Sequence, residues 1–68
     1  MIEVYNEEVG LFEKFEQRSL DFIRRSYDQF KDLPKMTEDD YKKLAMIMVQ
    51  TKYRDTRFDN LDWKVRVE

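Results

Sequence analysis

Sixty-eight residues suffice for one domain, 1–68, and a chain this short buries only about 60% of the surface its unfolded form exposes, so its core is marginal. The absence of cysteine and histidine excludes disulfides, thiolate metal centres, a cysteine nucleophile and the commonest general base, and leaves oligomerisation as an obvious stabiliser. A hydrophobic share of 41% is too high for a disordered chain, and an equal charged share netting −2 fits neither a membrane protein nor a dedicated nucleic-acid binder.

The N-terminal stretch is acidic and lacks the basic start of a signal peptide, so a cytoplasmic protein is expected. Within it, IEVY (Ile2–Tyr5) alternates apolar and polar residues, the period of a strand. From about Glu7 to Lys31 the pattern fits a helix. Asn6 suits the N-cap, and Glu7 and Glu8 sit where the helix dipole favours anions. Val9, Leu11, Phe12, Phe15, Leu20, Phe22, Ile23, Tyr27 and Phe30 fall within one half of the wheel. Ser19 and Ser26 lie a heptad apart in that half, small enough to admit a partner helix. Leu33-Pro34 stops the run, because proline disfavours helical backbone in the residue before it.

A second helix opens at Thr37, an N-cap with Asp40 in the capping-box position and Met36 and Tyr41 in the positions of a hydrophobic staple. It continues to about Arg57 and includes the longest apolar run, Leu44–Val49, far below the ~20 residues that span a bilayer. Tyr41, Leu44, Ile47, Met48 and Thr51 form the face that meets the first helix across a short connection. LDWKVRV (Leu61–Val67) alternates again and reads as a strand. The expected fold is mainly α: an antiparallel helical hairpin with short N- and C-terminal β-strands, in the order β-α-α-β, as a monomer or a dimer.

Met46, Val49 and Tyr53 point away from the first helix. Either the terminal strands fold back over them, or a second copy or a foreign protein covers them. With Arg54 and Arg57 they make the expected partner-binding surface, because methionine, aromatic and arginine side chains suit such surfaces. The expected function is that of a non-catalytic protein-binding regulator or inhibitor. It acts by surface occlusion as a homodimer, with no cofactor, no metal and no membrane.

The alternative is a nucleic-acid-binding regulator. Lys35, Lys42 and Lys43 cluster at the start of the second helix, Lys52 lies near its end, and Lys64 and Arg66 share one face of the last strand. Glu38, Asp39 and Asp40 share the first turn with two of these lysines and count against it. Residues 1–34 hold five basic and eight acidic residues, a charge of −3, whereas eight and seven give 35–68 a charge of +1. Enzyme readings are thin. Ser19 and Ser26 have no histidine to activate them. A hairpin register sets Glu16 opposite Asp55, two carboxylates able to share a proton or a cation unless Lys52 or Arg54 neutralises them. DTRFDNLD (Asp55–Asp62) is rich in oxygen ligands but lacks the glycine and terminal glutamate of an EF-hand loop, and Asp59 and Asn60 suit a turn.

Overall fold

A computed structural model describes all residues, 1–68. In place of the expected helical hairpin it shows a small α/β fold. Strands β1 (Ile2–Asn6), β2 (Leu11–Phe15) and β3 (Lys64–Val67) form one antiparallel sheet in the order β2-β1-β3. Helices α1 (Gln17–Ile23), α2 (Asp28–Lys31) and α3 (Glu38–Lys52) follow β2, and α3 packs across β1 and β3 and beside α1.

The largest correction falls on residues 7–15, which form a turn and a strand instead of the start of a helix. The apolar pattern of Val9, Leu11, Phe12 and Phe15 favours the helix, because in a strand Glu13 shares a face with Leu11 and Phe15 while Phe12 falls on the other. Local chemistry overrides it. Gly10 holds φ +70, in the left-handed region that glycine enters without penalty. The Asn6 side chain accepts the Val9 N–H at 3.3 Å, and the Gly10 N–H donates to the Glu7 carbonyl at 3.3 Å. This turn reverses the chain, and Leu11–Phe15 then pairs with β1 residue for residue, from Asn6↔Leu11 to Ile2↔Phe15.

The rest of the expected first helix is broken. α1 gives way to a 3₁₀ turn at Arg24–Ser26, and Tyr27 is extended at φ −117, ψ 119. The Arg24 guanidinium donates to the carbonyls of Phe30 at 3.1 Å and Leu33 at 2.8 Å, which ties this irregular segment together.

α3 begins as its capping chemistry dictates. The Asp40 N–H donates to the Thr37 hydroxyl at 3.2 Å, and the Thr37 N–H donates to the Asp40 carboxylate at 2.9 Å. The helix ends at Lys52, short of the expected Arg57. Beyond it Asp55 (φ 62) and Asn60 (φ 67) adopt left-handed backbone, which short polar side chains tolerate. The Thr56 hydroxyl donates to the Tyr53 carbonyl at 2.6 Å and closes the first of these turns. Leu61–Trp63 leads into β3 without joining the ladder.

The core is Ile2, Val4, Leu20, Phe30, Met36, Leu44, Ala45, Val49 and Trp63. Alternation along each strand turns Ile2, Val4, Glu13, Phe15 and Val65 toward α3. Asn6 is buried on this side and donates to the Asp62 carbonyl at 3.2 Å, fastening the hairpin to the approach to β3. No helix is long and apolar enough to cross a membrane.

Candidate functional site

The helices cover one face of the sheet. The other face is open, and the strand registers define its contents. One row across the sheet is Phe12–Tyr5–Lys64, and the next is Lys14–Glu3–Arg66. Tyr5 and Phe12 lie side by side, with ring centroids 6.0 Å apart and planes within 7°. The Arg66 guanidinium sits 4.5 Å from the Tyr5 ring centroid, a cation–π contact. Phe12 is 50% exposed, so half of a large apolar ring stands in water on this face.

Charge on the face is mixed. Glu3 is 2% exposed, a buried carboxylate answered by Arg66, whose Nε donates to Glu3 Oε1 at 2.6 Å and whose second nitrogen pairs with the same oxygen. That hydrogen bond raises the Arg66 pKa above its ordinary value. Glu68 approaches Arg66 at 3.5 Å and Lys14 at 3.9 Å. Lys64 makes no ion pair.

Of the expected partner-binding residues, Val49 is 1% exposed and belongs to the core. The chain's own strands and Trp63 therefore close the middle of that stripe. Met46 is half-buried and borders a shallow depression with Gln29, Lys42, Lys43, Ile47 and Val65. Tyr53 stacks on Trp63 at 5.3 Å and meets Phe58 edge-on at 5.9 Å. Tyr53, Phe58 and Trp63 line a cleft of about 210 Å³ together with Arg54, and Arg57 stacks on Phe58 at 4.8 Å. That volume falls below the ~300 Å³ at which small-molecule sites begin. Three of the five residues thus gather at the end of α3, while Met46 lies two helical turns away.

The expected nucleic-acid residues do not form one surface. Lys42, Lys43 and Lys52 belong to the helical layer, and Lys64 and Arg66 lie on the opposite side of the sheet. Lys35 is exposed in the loop before α3. Lys42 pairs with Glu38 at 3.4 Å, and Lys52 pairs with Glu13.

The carboxylate pairing changes as well. The hairpin register that opposed Glu16 to Asp55 does not exist; Glu16 is exposed at the start of α1. Glu13 reaches the end of α3 instead, accepting the Tyr53 hydroxyl at 3.0 Å as well as binding Lys52. Burial first, and then this hydrogen bond, raise the Tyr53 pKa above 10.0, while the Glu13 bond raises that of Lys52. Neither shift prepares a nucleophile or base for neutral pH. Ser19 and Ser26 are exposed, and no three acidic side chains converge to hold a cation.

Phe12 and Lys14 escape a helical reading of residues 7–31, which leaves Tyr5, in the first strand, without its cross-strand neighbour. Their one sequence signal is Gly10, a turn residue between IEVYN and LFEKF; LFEKF itself does not alternate. Phe22, expected in the core, is 74% exposed, because α1 turns Leu20 inward and carries Phe22 to its far side. Comparison with protein-family models, curated proteins and solved structures finds no match to this chain.

Proposed function

We propose that this chain is a non-catalytic protein-binding module that occludes a surface of another protein with the open face of its sheet. One observation carries the reading: the Tyr5–Phe12 pair, roofed on one side by Arg66, stands on a sheet face that no element of the chain covers. Aromatic and arginine side chains dominate the energetic centres of protein interfaces. The mixed charge of Lys14, Glu3, Arg66, Lys64 and Glu68 suits a polar rim rather than a phosphate track. A cytoplasmic setting belongs to the same proposal.

Single-stranded nucleic acid is the second reading, favoured by three cations beside two aromatic rings. Glu3 and Glu68 offset two of those cations, which places it behind the first. The test is capture from host lysate by immobilised wild type, Phe12→Asp and Phe22→Asp, with oligonucleotide binding measured by anisotropy at low and moderate salt. A protein retained by wild type and Phe22→Asp but lost by Phe12→Asp is the expected result. Capture indifferent to Phe12→Asp overturns the proposal, and oligonucleotide binding that survives moderate salt transfers the face to the second reading.

A further inference from the structure

β3 is an end strand. It pairs with β1 on one side, and no strand lies on the other. The Glu68 N–H donates to the Met1 carbonyl at 2.8 Å. Backbone groups alternate along an antiparallel ladder, so Glu68, Arg66 and Lys64 direct theirs at β1, and Val65 and Val67 direct theirs outward. The unpaired groups thus belong to the two apolar residues of the strand. Val67 is 45% exposed and sits beside Met1, itself 42% exposed, while Val65 borders the depression that holds Met46.

We propose that β3 pairs with β3 of a second copy of the chain, antiparallel about a two-fold axis at Val67, joining two three-stranded sheets into one of six strands. The charges of the strand select both the partner and the register. With Val65 opposite Val65, each Lys64 faces an Arg66. With Arg66 opposite Arg66, each Lys64 faces a Glu68, but two arginines meet on the axis itself. With Val67 opposite Val67, each Arg66 faces the Glu68 of the other copy, twice, and no like charges oppose. The existing contacts of Glu68 with Arg66 and Lys14, at 3.5 and 3.9 Å, are long, so its carboxylate is free to turn across the axis. On the helical side the pairing sets Val67 against Val67, covering apolar surface that the single chain leaves in water. It also places two Tyr5–Phe12 pairs on the same side of one sheet. Arg66 and Glu68 also belong to the rim of the open face, but Phe12 lies on β2, at the other edge of the sheet, so the Phe12→Asp capture test and the dimer test fail independently.

Sedimentation equilibrium of the full chain tests it. Wild type is expected to reach twice the chain mass of 8.5 kDa as concentration rises. Glu68→Arg sets like charges across the axis, and Val67→Pro deletes an outward N–H that β1 does not use. Each is expected to weaken dimerisation about tenfold or more while circular dichroism stays unchanged. The chain has no cysteine, so Val67→Cys places a single thiol on the axis. Directly opposed residues in such a pair lie about 5.5 Å apart, within disulfide reach, so Val67→Cys is expected to crosslink on oxidation and Phe12→Cys is not. A wild type that stays monomeric to millimolar concentration overturns the proposal. So does a dimer that survives both Glu68→Arg and Val67→Pro.

Discussion

Val49→Ala removes two methyl groups from a side chain that is 1% exposed, on the side of α3 that faces away from the helical partner expected from sequence. At about 0.8 kcal/mol per buried carbon, plus the cavity left behind, the cost is about 2–3 kcal/mol. A chain of this size holds about 3–10 kcal/mol in all, so one substitution removes a large share. The melting temperature is expected to fall by roughly 10–20 °C. Met46→Ala deletes more atoms from a half-buried site and is expected to cost only about 1 kcal/mol. The ordering therefore reports burial and not side-chain size. Urea denaturation followed by circular dichroism at low-micromolar concentration measures both variants, with an unchanged m-value securing the comparison. A Val49→Ala chain within about 0.5 kcal/mol of wild type would refute the reasoning, because a stripe covered only by a partner costs the single chain nothing.

Gly10→Ala probes the turn. An added Cβ meets nothing within 4 Å, so its cost is backbone alone, about 1–2 kcal/mol for left-handed φ, and Gly10→Asn is expected to cost less in the same denaturation assay. Asp40 is held below its ordinary 3.8 chiefly by the Thr37 N–H and then by the Thr37 hydroxyl. Because the folded state favours the ionised form, its contribution is complete above 3.8 and is lost as pH falls through the lower folded value. The stability gap between wild type and Asp40→Ala is therefore present at neutral pH and expected to close below 3.8; a gap that persists in acid contradicts the capping account.

The start of α3 was legible in the sequence because the signal is local: Thr37 and Asp40 satisfy each other's backbone within one turn, whatever surrounds them. IEVY and the KVRV part of LDWKVRV were legible as strands because of their alternation, while Leu61–Trp63, which alternates too, stays outside the sheet. Leu11–Phe15 was not, because its residues do not alternate and its apolar side chains fit a helical face, and only Gly10 and the Asn6 side chain favour the turn. Misreading those residues displaced everything downstream. It placed Phe22 in the core, merged three short helical pieces into one rod, and hid the open face. That face needs β2 to place Phe12 beside Tyr5, a contact between strands with no signature at either position alone. The second apolar side of α3 was legible as a need for cover, but its cover comes from strands that are distant in sequence.

The most direct measurement is the nuclear Overhauser spectrum of residues 1–31. If β2 pairs with β1 as described, Tyr5 and Phe12, and Glu3 and Lys14, are the closely spaced pairs of the ladder, and strong contacts between their α-protons are expected. An unbroken series of helical contacts from Glu7 to Lys31, without those cross-strand pairs, would remove the strand, the open face and the function proposed for it.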